Sequence, residues 1–444
     1  MKTPQKILVA VLGLVLVCGV LFALPPVHQR AFYYLEQARI RVFYALNPPE
    51  EVVFTPGEQG QVSAAVAATM TAMASPASAA TLTPTTPATL AASTTAPSTI
   101  PPTPVLLTAT PVPLPALASI EQVPYVDQHY GQNNCAPANL AMALQFWGWQ
   151  GKLAELTSAV KPYELDKNVM PYELVDYANS QTNLRAIERS GGTPELLKRL
   201  VVAGYPVIVE RGVYLRDLSG KISWMGHYQV VYGYDDATAK FQVKDSFEAN
   251  GQDFTVSYDE LQIGWRSFNY TFVMIYPPEK ESDLFAALGT YADPTAAAQA
   301  AYELASAEIY STEGQAQFFA WFNRGTSLVK LQDYVSAAQA YDEAYKLYAN
   351  LSADQRPWRA TWYQTGPYFA YFYAGRYYDV LSLTDQTITG ASAPYLEENF
   401  YWRAKAKAAL GDTTGAVTDL RKSLEYHPDF GPSLAELTSL GATP

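Results

Sequence analysis

The feature that most limits how this chain of 444 residues can fold is a long stretch without charge. No Asp, Glu, Lys, Arg or His occurs between Glu58 and Glu121, and Ala, Thr, Pro and Ser dominate the stretch. Such a composition offers too little apolar surface to form a packed core. We therefore expect residues 59–120 to be a disordered linker, similar to exported stalks, between an amino-terminal segment and the folded remainder.

An apolar run from Ile7 to Leu24 precedes this linker and contains no charged residue. Its length is about that of a helix that crosses the hydrocarbon core, so residues 1–28 are predicted to be a transmembrane anchor. A cleaved signal peptide is the alternative, but the run exceeds the usual length of a signal's hydrophobic region. Residues 29–58 are predicted to be a juxtamembrane helix. We expect a single-pass protein of the cell membrane, with its amino terminus cytoplasmic and its folded domains extracytoplasmic.

The charged and metal-binding residues exclude several classes of function. Acidic residues outnumber basic ones by 42 to 30, which leaves no basic surplus for nucleic acid. The two cysteines are Cys18, inside the apolar run, and Cys135, so a disulfide between them is not expected. The four histidines show no metal-ligand spacing. We expect neither a metal nor another cofactor.

Residues 121–280 combine helical and strand-like patterns, with helices predicted first and antiparallel strands second. Thr193 and Pro194 indicate the start of a helix, and residues 206–210 read as a strand. Two further strands, 227–234 and 240–245, flank a turn-like sequence and form a predicted hairpin.

Cys135 is the first candidate for chemistry in this region. Pro137 suits the first turn of a helix, and apolar residues continue to Trp149, so Cys135 is predicted to open a buried helix. The free amide groups at a helix start stabilise a thiolate, which is a strong nucleophile. The alternative is a small buried cysteine of the core.

His227 and Asp245 are the candidates for its partners. In a hairpin centred on Asp236 the two residues are directly opposite, with Cβ atoms about 5 Å apart. A carboxylate so placed orients an imidazole whose other nitrogen faces a thiol. Asp235 and Asp236 compete as the orienting acid, although turn formation explains them better. His129 competes as the base, but we expect it on a loop without a fixed partner.

These motifs resemble the papain-like peptidases that remove double-glycine leaders from bacteriocins, the peptidase C39-like family. The resemblance covers residues 121–278 and rests on a glutamine before a helix-opening cysteine, the sequence Gly-His-Tyr at 226–228 and an aspartate after the next strand. It implies that Cys135 is the nucleophile, His227 the general base and acid, Asp245 the orienting residue, and Gln128 the side chain that completes the oxyanion hole.

Three departures from the family pattern bear on these roles. Ala136 stands where the family usually has Gly, and Ser246 where it usually has Pro. The spacing between Gln128 and Cys135 is slightly longer than usual, which leaves Gln132 as an alternative to Gln128. None of the departures removes a reacting group.

Residues 283–444 carry the spacing of tetratricopeptide repeats, which are pairs of helices in units of about 34 residues. Residues typical of the repeat, many of them small or aromatic, fall at the expected positions of three units and of one partial, earlier unit. These residues are Trp321, Gly325, Tyr334, Ala337, Tyr341 and Ala344; Gly375 and Tyr377; Gly411, Asp412, Ala416, Leu420 and Pro428; and Ala298, Tyr302 and Ala305. An unrelated helical bundle is the alternative.

The sequence thus predicts an α+β papain-like peptidase domain followed by an all-α repeat domain, behind a transmembrane helix and a disordered linker. The predicted function is cleavage of peptide bonds through a Cys-His-Asp triad, with the repeats binding a protein or peptide. One alternative is an inactive papain-like binding or adhesion module. Another is a thiol acyltransferase or amidase that acts on cell-wall peptides.

Overall fold

A computed structural model describes residues 53–57, 113–216, 222–391 and 394–444, with scattered positions between 13 and 46. The predicted anchor and linker lie largely outside these residues. Within the described positions, no helix is both long and apolar enough to cross a membrane. The described positions between Arg30 and Leu46 are helical, whereas residues 53–57 are not, so the predicted helix over 29–58 is wrong at its end.

The first folded domain is built on an antiparallel sheet in the order β2-β7-β3-β4-β5-β6, with β1 paired to one end of β4. Its strands are β1 Leu117–Ser119, β2 Arg185–Arg189, β3 Val207–Arg216, β4 Ile222–Asp235, β5 Lys240–Lys244, β6 Phe254–Ser257 and β7 Phe272–Tyr276. The prediction of a linker up to residue 120 is therefore wrong for β1.

Alternating side chains of the sheet enter two separate cores. Ile208 pairs with Val230, and both pack with helix residues such as Leu140 on one face. Val207 pairs with Val231, and both belong to the core on the other face. Successive residues of a strand point to opposite faces, so β-branched runs of this kind are buried on both sides.

Fifteen α-helices lie in residues 113–444 as far as the structure describes them. They are α1 Cys135–Phe146, α2 Leu153–Val160, α3 Pro171–Gln181, α4 Pro194–Val202, α5 Tyr258–Arg266, α6 Glu281–Leu288, α7 Pro294–Ser311, α8 Gly314–Lys330, α9 Tyr334–Asn350, α10 Ala360–Tyr363, α11 Gly366–Tyr373, α12 Tyr377–Gly390, α13 Glu397–Ala409, α14 Thr413–Tyr426 and α15 Gly431–Ser439. The Thr193 hydroxyl accepts a hydrogen bond from the amide of Leu196 and caps α4, as predicted.

The predicted order of helices first and strands second is only partly correct. β1 and β2 precede or interrupt the first helices, and α5 lies between β6 and β7. The strand β2 was not predicted, because Arg185 and Arg189 at its ends are charged and its centre is only partly buried.

The repeat region consists of antiparallel helix pairs. α8 and α9 form the pair that contains the clearest predicted unit, and the ring of Tyr341 packs against Gly325. α11 with α12 and α13 with α14 correspond to the weaker units. Gly325 has no side chain, which lets the two helices of its pair approach closely.

The repeats contact the strand that carries His227. The Arg359 guanidinium donates to the carbonyl oxygen of Trp224 at 2.9 Å. The Trp224 ring stacks on Phe268 with centroids 5.4 Å apart and meets Tyr363 edge-on at 5.7 Å. The first part of β4 is therefore supported by the repeat region.

Candidate active site

Cys135 is the first residue of α1, as the sequence predicts. The amide of Ala138 donates to the carbonyl of Asn134 at 3.1 Å, which closes the first turn around Pro137. Cys135 is half-buried and lines a cavity, and Gln128, His227 and Asp245 line the same cavity. The four candidate residues are thus brought together, with the sulfur at the amino-terminal end of a helix.

His227 and Asp245 are hydrogen-bonded, but not through the predicted pairing. The imidazole Nε2 lies 2.8 Å from Oδ1 of Asp245. The register of β4 and β5 shifts by one residue between Val231 and Gly233, where a β-bulge interrupts the ladder. Extending the observed pairing of Val230 with Lys244 would set Gln229, not His227, opposite Asp245, so the predicted register is wrong. The two side chains meet across a diagonal.

Asp245 is held by several donors besides the imidazole. Its carboxylate accepts from Nε2 of Gln229 at 2.5 Å and from the amides of Phe247 and Glu248 at 2.9 and 3.3 Å. Burial raises the pKa of Asp245, but His227 and these donors outweigh burial and lower it to about 2. Asp245 is therefore an anion at neutral pH.

The same pair controls the charge of His227. Burial lowers the pKa of His227, but the charge and hydrogen bond of Asp245, together with the Cys135 sulfur, raise it to about 10. The imidazole is therefore protonated at neutral pH. Because Nε2 faces Asp245, Nδ1 is the ring nitrogen left for the thiol.

The close neighbours of Gly226 explain why a glycine precedes His227. A Cβ at this position would lie 2.9 Å from ring atoms of both Phe268 and Tyr363. Tyr363, from the repeat region, also lines the cavity. The absent side chain lets an aromatic wall approach the backbone beside His227.

Gln128 is oriented by a residue that departs from the family pattern. The hydroxyl of Ser246 donates to Oε1 of Gln128 at 2.8 Å, and Nδ2 of Asn139 lies 3.1 Å from the same hydroxyl. With Oε1 engaged, Nε2 of Gln128 is left to donate. Gln132 is not among the residues that line this cavity, and its Oε1 accepts from Arg39 at 3.3 Å. The geometry favours Gln128 over Gln132.

His129 has a partner that the sequence reasoning did not foresee. Its Nδ1 lies 2.6 Å from Oδ1 of Asp127, so the expectation of a histidine without an orienting group is wrong. Asp127 also accepts from the His129 amide, which makes a local turn of the loop. His129 lines a different pocket from Cys135.

Three residues near the site were not predicted from the sequence: Gln229, Arg211 and Glu210. Gln229 holds Asp245 and in turn accepts from Arg211 at 3.2 Å. Glu210 is 4% exposed, lines the cavity, and its Oε1 has no hydrogen-bond partner within the described part of the chain. Burial raises the pKa of Glu210 well above its ordinary value. The position of Gln229, two residues from His227 on the same strand face, was the available signal.

One group of side chains has the geometry to hold a metal ion. Ligand atoms of Glu173, Glu397 and His427 all lie within 4.8 Å of one another in the described structure. Burial, together with neighbouring carboxylates, raises the pKa of both glutamates well above the ordinary value. None of the three lines the cavity of Cys135. The expectation of no metal stays a prediction.

These observations define the class of the two domains. Residues 120–272 match the model of the Peptidase_C39 like family, and residues 398–429 match that of the tetratricopeptide repeat. The resemblance predicted from the motifs is confirmed. The matches indicate a peptidase-like domain followed by tetratricopeptide repeats.

Individual proteins are similar to parts of the chain. A solved structure described as a C39-like peptidase from Bacillus anthracis aligns with 18% sequence identity and a TM-score of 0.29, covering 36% of this chain and 96% of that protein. Aryl-hydrocarbon-interacting protein-like 1 of Pan paniscus and of Mus musculus are each 29% identical over 115 residues, or 24% of this chain. The match spans 29% and 34% of those two proteins.

Proposed function

We propose that this protein is a membrane-anchored, extracytoplasmic cysteine peptidase whose nucleophile is Cys135. The observation that carries the proposal is the 2.8 Å hydrogen bond between His227 and Asp245 in a cavity that the helix-opening Cys135 also lines. A buried imidazole held by a carboxylate beside a half-buried thiol is the arrangement that activates a sulfur nucleophile.

The charges of the site suit acyl transfer to sulfur. The protonated imidazole of His227 and the start of α1 stabilise the thiolate of Cys135, which attacks the peptide carbonyl carbon. The amide of Cys135 and Nε2 of Gln128 donate to the resulting oxyanion. His227 then gives its proton to the leaving amine as the carbon–nitrogen bond breaks. A water molecule, deprotonated by the now neutral His227, attacks the thioester carbonyl carbon. The carbon–sulfur bond then breaks, which releases the acid and regenerates the thiolate of Cys135 beside the protonated imidazole.

The lining of the cavity supports a peptide substrate with basic side chains. Three of the lining residues carry carboxylates, namely Glu248, Asp259 and Glu260, and two carry cations, namely Lys167 and Arg211. Arg211 is itself paired with Glu260 at 3.4 Å. Complementary charge raises the rate of encounter and the specificity for cationic ligands.

The membrane location rests on sequence alone. The uncharged run Ile7–Leu24 supplies the anchor, and the uncharged Thr- and Pro-rich residues that follow suit an extracytoplasmic position. Carbonate extraction of membranes and proteolysis of intact cells test it. Release of the protein by carbonate, or protection of the folded domains from added protease, would contradict this location.

The test of activity uses the full chain in a Cys18→Ser background, which leaves one thiol. Purified protein is incubated with a peptide library that includes double-glycine sequences and basic residues, and products are identified by mass spectrometry. We expect cleavage by this protein, its loss in Cys135→Ala, and enrichment of Lys and Arg near the cleaved bond. Folded protein that binds peptides without cleaving any would instead support an inactive binding module.

A further inference from the structure

Residues 53–57 occupy an aromatic groove on the repeat region. Phe54 is 3% exposed, and its ring centroid lies 4.8 Å from that of Tyr345, edge to face, and 5.9 Å from that of Tyr371. The groove around Phe54 is lined further by Phe318, Tyr348, Trp358, Trp362 and Leu383. A side chain from a distant part of the sequence thus packs within the buried apolar cluster of the repeats.

Among residues 53–57, Phe54 makes the buried apolar contact. Thr55 is exposed, and the backbone adds a long hydrogen bond of 3.4 Å from the Gly57 amide to Oδ1 of Asp379. The Tyr345 hydroxyl beside Phe54 is buried and has no hydrogen-bond partner in the described structure. Apolar burial of Phe54 therefore provides most of the attraction.

The other end of the uncharged stretch is also attached to the folded body. The Tyr234 hydroxyl donates to the carbonyl of Pro115 at 2.5 Å, and the amide of Asp236 donates to that of Ala116 at 2.9 Å. The residues between Gly57 and Pro115 therefore begin and end on the same body.

We propose that residues 53–57 are a reversible latch, a peptide ligand of the repeats supplied by the chain itself. With the latch bound, the chain on either side of residues 58–114 is held on the same body, so the length of this stretch does not set how far Val53 lies from the folded domains. Release of Phe54 removes this restraint and exposes the aromatic groove. The linker raises the effective concentration of the latch to about the millimolar range, so a contact of few residues suffices.

The test uses the full chain with an amino-terminal affinity tag and an engineered protease site within residues 58–114. The protein is immobilised by the tag, cut, and washed. We expect the folded body to stay on the beads in this protein and in the control Thr55→Ala. Phe54→Ala should release it, because loss of a buried phenyl ring weakens binding about 10- to 100-fold. Excess peptide covering residues 51–58 should elute the body, and the same peptide with Phe54→Ala should not.

Two results would overturn the proposal. One is loss of the unmutated body from the beads upon cutting. The other is equal retention with Phe54→Ala, which would show that another part of the amino-terminal segment holds the body. Neither readout depends on peptidase activity, so failure of the latch and failure of the proposed function are distinguished.

Discussion

Replacing Asp245 with Asn tests how strongly the carboxylate raises the pKa of His227. The change removes one negative charge whose oxygen lies 2.8 Å from the imidazole Nε2. Charge centres about 4 Å apart interact by about 4 kcal/mol at an effective dielectric constant of 20, which corresponds to about 3 pKa units. The pKa of His227 should fall from about 10 to about 7. An amide also presents N–H groups to donors such as Gln229, which weakens the anchoring further.

The assay is a histidine Cε1–H NMR titration of the full chain, with the His227 signal assigned by His227→Ala. The matched control is Asp236→Asn, because that carboxylate belongs to the exposed turn of the same hairpin and pairs with Lys198. The titration midpoint should move only for Asp245→Asn. A shift smaller than about one pKa unit would refute the electrostatic reasoning, whether or not the protein cleaves peptides.

The same pair has a defined effect on stability. The raised pKa of His227 contributes stability that is fully present below its ordinary value of 6.5 and is lost as pH rises through about 10. The lowered pKa of Asp245 contributes stability that is present above 3.8 and is lost as pH falls through about 2. Chemical denaturation should therefore find this contribution intact between those ordinary values, and absent from Asp245→Asn.

Three other substitutions test the positioning of Gln128, the contact between the two domains at Glu398, and the helix packing at Gly325. Ser246→Ala removes the donor to Gln128, and kcat for peptide cleavage, measured well below Tm, should fall about 5- to 10-fold, the equivalent of about 1 kcal/mol. Tm should fall as well, because the buried hydroxyl also bonds Asn139; an unchanged kcat would show that Ser246 does not position Gln128. Glu398 of the repeats accepts a hydrogen bond at 3.3 Å from the hydroxyl of Tyr172 in the first folded domain. Burial raises the pKa of Glu398, so this carboxyl stabilises the fold less as pH rises; Glu398→Gln should raise Tm by about 2–4 °C at pH 8 and leave it unchanged at pH 4, and equal shifts at both would contradict this. Gly325→Ala places a Cβ 2.8 Å from the Tyr341 ring and should lower the free energy of unfolding by about 1–3 kcal/mol in thermal denaturation; wild-type stability would refute the tight packing.

The sequence predicted the parts of the site that depend on local pattern. The start of α1 at Cys135 follows from Pro137 and the apolar run behind it, and the strand that carries His227 follows from its β-branched and aromatic residues. The diagonal meeting of His227 with Asp245 was missed because the turn was placed at Asp236, whereas the pairing of Asp235 with Lys240 centres the hairpin between Ala237 and Thr238. The bulge near Tyr232 then shifts the register by one residue more.

Long-range contacts account for most of what the sequence did not reveal. Phe54 ends the short apolar run Val52-Val53-Phe54, and nothing near it indicates a partner in helices far along the chain. The buried group of Glu173, Glu397 and His427 likewise joins residues from two domains. Ser246 looked like a simple departure from a family pattern, and only the geometry shows that its hydroxyl holds Gln128. Such contacts depend on tertiary packing, which periodicity does not encode.

The aromatic side chains of Phe268 and Tyr363 beside Gly226 link the evolution of the two domains. Tyr363 of the repeats covers the backbone next to His227, and Arg359 binds the carbonyl of Trp224 on the same strand. A recombination event that exchanged the repeats for another module would strip one side from the cleft and leave Trp224 and Phe268 bare. Descendants of this chain should therefore keep both halves together, or lose the glycine when they lose its neighbour.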